Sequence, residues 1–352
     1  MKIYDIIIIG GGQAGLSVGY FLKRSSLSYL ILDNQKEAGG SWLKTWDSLK
    51  LFSPSTYSSL SGWAMPRGKN EYPSKSEFLA YLSAYEKRYD FAIQRQTDVF
   101  KVEKENGLFK TETNKGVFYS KTIVSATGTS GNPFIPEYPK STTFSGIQLH
   151  SADYKNPDIF KGKKTLIIGG GNSGAQILAE VSKGTPTQWV TLKEPQFLPD
   201  DIDGRYLFNE ATQKFLGKSK VKSENSHSIS LANIVMVASV KEARSRNVLH
   251  AVRPFKEFYE HGVIWQDGTK ERFDAIIWCT GFKANLKHIE SLGVVENNKV
   301  ETTYTRSIKE PNLWLVGYGN WTGFASATIY GVGKTARQTV KEIKETLSNS
   351  DS

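Results

Sequence analysis

The chain has 352 residues, 39% hydrophobic and 23% charged, with a single cysteine and a net charge of +10. That length predicts two domains of about 100–200 residues each, and the composition is that of a globular rather than a disordered chain. No apolar run approaches the ~18 residues of a membrane span, and Tyr4 to Ile9 already reads as a strand rather than a signal peptide, so the expected location is cytoplasmic.

In chain order, the β-branched run Ile7-Ile8-Ile9 leads into Gly10-Gly11-Gly12-Gln13-Ala14-Gly15, a helical pattern over Leu16 to Leu22, and a strand, Tyr29 to Leu32, that ends on Asp33. Val99 to Val102, Leu108 to Thr113 and Gly116 to Tyr119 predict short antiparallel strands, and Thr122 to Ala126 a buried one. Gly131-Asn132-Pro133 and Pro136 break the chain, and a linker is expected over Ser151 to Gly162. The opening pattern then recurs: Leu166-Ile167-Ile168-Gly169-Gly170-Gly171-Asn172-Ser173-Gly174, a helix over Ala175 to Val181, and a strand over Trp189 to Leu192. Residues Gly204 to Asn247 are polar and weakly periodic and receive no assignment. Ala275 to Cys279 reads as a strand running into Thr280-Gly281-Phe282, and a last helix is expected over Lys334 to Leu347.

A βαβ unit occurring twice predicts an α/β fold of two doubly wound, Rossmann-like dinucleotide-binding domains, the second inserted in the first. The expected division is residues 1–155 with 280–352 for one and 156–279 for the other.

Each glycine of the first turn has a physical task. Gly10 permits the tight exit from the strand, Gly12 lets a pyrophosphate approach the backbone, and Gly15 lets the helix pack on the sheet. The helix start at Gln13 and Ala14 offers free amides to phosphate. Asp33, 18 residues past Gly15, can accept both ribose hydroxyls of an adenosine. In the second turn Gly169, Gly171 and Gly174 repeat these tasks, with Asn172 and Ser173 at the helix start. Eighteen residues past Gly174 stands Leu192 rather than an acid, so a 2′-phosphate is not repelled, and Lys193 can pair with it. No arginine is near in sequence and Glu194 follows, so the reading is NADPH preferred with NADH tolerated.

Cys279 stands alone, which excludes an internal disulfide and a Cys-x-x-Cys redox pair. The five histidines lack metal-ligand spacing. Basic residues are dispersed except for Lys161, Lys163, Lys164 and Lys218, Lys220, Lys222, which read as solvated loops. Diffuse positive charge suits polyanionic cofactors rather than nucleic acid.

The segment Phe144-Ser145-Gly146-Ile147-Gln148-Leu149-His150-Ser151-Ala152-Asp153-Tyr154 is similar to the Phe-x-Gly-x-x-x-His-x-x-x-Phe/Tyr fingerprint of the flavin-containing monooxygenases. Gly39-Gly40-Ser41-Trp42 resembles the Gly-Gly-x-Trp that follows the FAD ribose acid in that family. Ala126-Thr127-Gly128 and Cys279-Thr280-Gly281-Phe282 resemble its paired crossover turns. The resemblance spans nearly the whole chain and implies FAD in the first domain, with Gly40, Ser41, Trp42, Val99, Ala126, Thr127, Gly128 and Gly281 among the cofactor contacts, and a nicotinamide dinucleotide in the second. It implies that His150 couples the nicotinamide to the flavin, whereas Tyr154 reads as packing.

Two departures stand out. Where larger members place an asparagine beside the flavin, Phe52 is the expected occupant here, and where related flavoproteins bind the ribityl chain with Gly-Asp, this chain has Gly319-Asn320. An amide still bonds a hydroxyl, so FAD binding is expected to survive.

The resemblance further implies that NADPH reduces the flavin and that oxygen then yields a C4a-hydroperoxyflavin that oxygenates a soft nucleophile such as a sulfide or amine. Trp42, Trp46, Phe52, Tyr57, Trp63, Trp321 and Phe324 are abundant aromatics for an apolar pocket. Expected partners are O2 and a small-molecule substrate, with neither nucleic acid nor membrane, and a homodimer is a possible assembly. The alternatives are an NAD(P)H oxidase or flavoprotein reductase without oxygen insertion, which Phe52 favours, and an accessory redox protein for metal or metalloid resistance.

Overall fold

The computed structural model of the chain describes residues 2–202, 204, 233–323 and 325–350. Two parallel sheets organise it. In the first, β1 (Ile3–Ile9) lies between β2 (Tyr29–Leu32) and β6 (Gly116–Ser125), with β3 (Ile93–Gln94) beyond β2 and β19 (Leu313–Leu315) beyond β6, all parallel. Alternate side chains of β1 face opposite ways, as a strand requires. Ile6 and Ile8 pack under α1 (Gln13–Leu22) and α5 (Ile329–Ser350), while Ile7 and Ile9 join Val102, Phe109 and Leu313 on the other face. A sheet buried on both faces needs apolar residues at every position, which is why β1 reads as an unbroken isoleucine run. An antiparallel hairpin, β4 (Val99–Glu105) with β5 (Leu108–Thr113), hangs from β6.

The second sheet has the order β10 (Ala251–Val252), β9 (Thr187–Val190), β8 (Thr165–Ile168), β14 (Ala275–Trp278), β7 (Ile147–His150), again all parallel. Ile167 packs with α3 (Asn172–Val181), while Leu166 and Ile168 face Phe255, Phe258 and Trp278. The helix α4 (Ala238–Ser245) packs against α3 within this unit.

The chain enters the second sheet earlier than residue 156, because β7 pairs with β14 from Ile147↔Ala275 to Trp278↔His150. The Phe144 to Tyr154 segment is this entry strand. Phe144 is buried against Phe258, and a Cβ on Gly146 would come within 2.5 Å of the Asp274 carbonyl. Tyr154 is buried on Phe160 and donates its hydroxyl to Glu180 of α3 at 2.8 Å, in keeping with a packing role.

The helix α2 (Lys75–Tyr89) begins on a reciprocal cap in which Ser74 Oγ accepts from Glu77 N and Ser74 N donates to Glu77 Oε2. It carries Glu86 to the edge of the first sheet. Most of Gly204 to Asn247, and Phe324, lie outside the described residues. No helix among the described residues is long and apolar enough to cross a membrane, and no described group of side chains could hold a metal ion.

Candidate active site

Both glycine turns are built alike. Gly10 has φ +105°, and a Cβ there would come within 2.6 Å of the Ala126 carbonyl; Gly169 has φ +136° and would meet the Cys279 carbonyl at 2.1 Å. The third glycines seat the helices: a Cβ on Gly15 would lie 1.9 Å from Gly10 O, and one on Gly174 2.1 Å from Gly169 O. Neither helix start is capped by a side chain, since Gly12 and Gly171 are the N-cap residues, so the first-turn amides are left for a ligand. Glycine here is a geometric requirement in both units.

Around the first turn lies a cavity of about 440 Å³. Gly10, Gly12, Gln13, Ala14, Asp33, Gly40, Ser41, Val99, Ala126, Thr127 and Gly128 all line it. Gly12 and Gly40 face each other so closely that a Cβ on Gly40 would stand 2.7 Å from Gly12 Cα, a narrow cradle only glycine leaves open. Asp33 is buried, accepts backbone hydrogen bonds from Gly11 and Gln35, and pairs with Arg95, which also holds Glu86. Burial pushes the Asp33 carboxyl up, and the Arg95 charge and those hydrogen bonds only partly offset it.

Gly319 and Asn320 line neither this cavity nor the next, and Asn320 is exposed. The chain leaving β19 crosses α1 two residues sooner, at Gly317, where a Cβ would meet Ala14 Cβ at 2.7 Å. Asn285, Lys287 and His288 also line the cavity without any signal in the sequence. His288 is buried, shares a 2.9 Å hydrogen bond with Ser125, and is pushed down to about 4 by burial, so it is neutral.

In the second unit the residue equivalent to Asp33 is Thr191, not Leu192. Ile9 pairs with Leu32 and Ile168 with Val190, so the helix-to-strand connection is one residue shorter in the second copy and counting from the glycine overshoots. The geometry agrees: a Cβ on Gly11 would stand 2.9 Å from Asp33 Cβ, and one on Gly170 3.4 Å from Thr191 Cβ. Leu192, Lys193 and Glu194 are exposed beyond it. An arginine is near after all, Arg253 at the end of β10, whose Nη1 donates to Thr191 O at 3.1 Å and to Thr191 Oγ1 at 3.0 Å.

A second cavity, of about 370 Å³, lies between the two units. Gln13 and Ser41 reach it from the first, Asn172, Ser173 and Gln176 from the second, and Ser151 and Ala152 from the crossing segment. Trp42, Trp46, Leu51, Phe52, Phe282 and Ile329 make its apolar walls. The two helix-start amides act as clamps. Gln13 accepts from Trp42 Nε1 at 3.1 Å and donates to Ala327 O at 2.9 Å, while Asn172 donates to Asn233 O at 3.1 Å and accepts from Val235 N at 2.9 Å. Of the other aromatics, Tyr57 packs at a tilt on Tyr330, Trp63 on Tyr81 and Trp321 on Tyr318, none of the three lining the cavity, and Phe324 lies outside the described residues.

His150 lines neither cavity. It is buried behind Phe282, ring edge to face at 4.9 Å, with Nδ1 accepting from Ala152 N at 3.1 Å. Its Nε2 makes no hydrogen bond of normal geometry, though the Gly281 backbone stands close enough to favour the protonated form slightly. Burial outweighs that and pulls the imidazole down, so it is held neutral. Gly281, with φ +83°, shapes the turn that carries Phe282 into the cavity.

Residues 7–317 match the family model of pyridine nucleotide-disulphide oxidoreductases. A flavin-containing monooxygenase from Stenotrophomonas maltophilia is 44% identical, with a TM-score of 0.90 over 99% of this chain and 100% of its own. An uncharacterized oxidoreductase, CzcO, of Bacillus subtilis is 32% identical over 97% of this chain and 99% of its own length. A probable indole-3-pyruvate monooxygenase of Arabidopsis thaliana is 26% identical over 97% of this chain and 90% of its own. The lone Cys279 is buried, with its thiol pushed up by burial, and has no second cysteine in the chain with which to form an internal disulfide. The chain belongs to the pyridine nucleotide-disulphide oxidoreductase family and is an FAD- and NAD(P)H-dependent flavoprotein monooxygenase.

Proposed function

We propose that the chain is a cytoplasmic monooxygenase that uses NADPH in preference to NADH, and O2, to oxygenate a soft nucleophile, a thioether or an amine, in the aromatic-walled cavity between its two units. The observation that carries this reading is that cavity itself, where the first residues of both glycine-turn helices converge on one apolar space. When held by the chain, FAD would supply hydride acceptance from the nicotinamide and the activation of oxygen.

The chain's own residues bind, orient and exclude water. In this reading Gly10, Gly12 and the free amides of α1 hold the FAD pyrophosphate, Asp33 the ribose, and Gly317 with Thr127 the chain between phosphate and ring. Gly169, Gly171 and the amides of α3 hold the NADPH pyrophosphate. Gln13 fixes Trp42 against the cavity, and Trp42, Trp46 and Phe52 keep it dry, which suits an apolar sulfide. His150, neutral and buried, supports Phe282 from behind and acts as a positioning residue. The Phe52 ring carries no amide where larger relatives have an asparagine, and this favours a second reading, oxidase activity without oxygen insertion.

The test reduces the FAD-loaded protein anaerobically with NADPH, admits oxygen with methyl phenyl sulfide, and measures products. Sulfoxide in amounts approaching the NADPH consumed is expected. Stoichiometric hydrogen peroxide with the sulfide untouched would replace the monooxygenase reading with the oxidase one.

A further inference from the structure

The two sheets carry an arginine at one and the same register. In the first, the parallel pairs Ile31↔Ile93 and Leu32↔Gln94 run on to Asp33 beside Arg95. In the second, Trp189↔Ala251 and Val190↔Val252 run on to Thr191 beside Arg253. Each arginine reaches sideways to the residue that ends the second strand of its unit, the position that faces an adenosine ribose.

Their surroundings differ. Arg95 is 18% exposed and is held between Asp33 and Glu86. Arg253 is 44% exposed and touches a neutral hydroxyl, Thr191. Its carboxylate partner, Glu194, is 73% exposed and lies next to Lys193 on the strand-end loop. An exposed ion pair gives up little when it opens. A phosphate dianion offers the guanidinium a stronger, bidentate partner in the same place.

We infer that Arg253 is the residue that reads the adenosine 2′-phosphate of NADPH, and that Glu194 is a displaceable stand-in for that phosphate, released from Arg253 when the nucleotide binds. Thr191 aims the guanidinium through the two hydrogen bonds its backbone and hydroxyl accept. With NADH the Arg253–Glu194 pair stays closed and the unesterified ribose sits beside it, which accounts for tolerance of both nucleotides. Lys193 adds charge to the same loop without a fixed geometry. The inference rests on the proposed preference for NADPH but not on oxygenation, so the two fail separately.

The experiment measures binding of 2′,5′-ADP and of 5′-AMP to the oxidised FAD-loaded protein by calorimetry, in wild type, Arg253→Ala, Arg253→Lys and Glu194→Gln. Arg253→Ala should weaken 2′,5′-ADP about 10- to 100-fold while 5′-AMP moves less than about threefold, and Arg253→Lys should recover part of the loss. Glu194→Gln, a surface change that leaves the fold alone, should tighten 2′,5′-ADP about threefold or more and leave 5′-AMP unchanged. Equal losses for both ligands in Arg253→Ala, or no tightening in Glu194→Gln, would overturn the inference. Selective 2′,5′-ADP binding in a protein that makes no sulfoxide would leave it standing and remove only the oxygenation reading.

Discussion

The two βαβ units share a plan down to the carbonyl that each first glycine touches, yet they end in opposite chemistry. After β2 comes a buried acid paired with Arg95, which Glu86 holds from its other side; after β9 comes a neutral threonine beside a more exposed arginine whose carboxylate partner, Glu194, is itself exposed. The first unit is further closed by the return segment, since Gln13 is tied to Ala327 and Gly317 lies on Ala14. Above the second helix start, a Cβ on Gly171 would meet nothing within 4 Å. In the proposed reading one scaffold serves once to retain a prosthetic group and once to exchange a cosubstrate; both strand-end residues are buried, and what differs is their charge and the exposure of the arginine beside each.

The hardest blow to this comparison comes from the third glycines. Gly15→Ala and Gly174→Ala introduce the same overlap with a turn carbonyl, and overpacking of this kind costs about 1–3 kcal/mol. Gly15→Ala should purify largely without FAD. Gly174→Ala should remain yellow, with its FAD-to-protein absorbance ratio unchanged, and lose NADP+ binding. If both variants lost FAD equally, the units would not be separable as described.

Next in size is Arg95→Ala. The folded protein without cofactor holds the Asp33 carboxyl above its ordinary value, chiefly through burial. A raised carboxyl stabilises the fold below its unfolded pKa, and that contribution is lost as pH rises through the folded value. With Asp33 on the FAD ribose as proposed, FAD works in the opposite sense, because the ribose hydroxyls donate to the ionised form, so FAD should be released as pH falls through the Asp33 titration. Removing the Arg95 charge takes away the main influence holding that titration down, and the pH of half-release should move upward. Wild type and variant titrated by free-flavin fluorescence should therefore give displaced curves; coincident curves would show that Arg95 does not tune Asp33.

How much of this was readable in the chain follows from where each signal is encoded. The first glycine turn, Asp33, and the cavity position of Gly40, Ser41 and Val99 rest on local spacing or on motifs, and the structure gathers them at one cavity. Arg95 and Arg253 were invisible because each acts on a residue about 60 positions earlier, a proximity only the parallel pairing of β3 with β2 and β10 with β9 creates. Counting from the glycine points to Leu192 instead of Thr191 because the two copies differ by a single residue in connection length. His150 stands out in the sequence, but whether it faces the cavity or the back of Phe282 depends on the rotation of β7 in a sheet whose neighbour, β14, lies more than 120 residues on.

The smallest expected effect concerns the wall that only the first unit possesses. Gly319-Asn320 holds the place in sequence where related proteins use an acid, but Asn320 is exposed and touches neither cavity, whereas Gly317 lines the first with φ +92°. Surface substitutions away from special features stay within about 0.5 kcal/mol, so Asn320→Ala should change FAD affinity by less than about threefold, while Gly317→Ala, forced against Ala14 in a left-handed conformation, should weaken it at least tenfold. Both are read by reconstituting apoprotein with FAD and following flavin fluorescence quenching. A large loss in Asn320→Ala with none in Gly317→Ala would move the ribityl contact three residues along the chain and reopen how the return segment closes over α1.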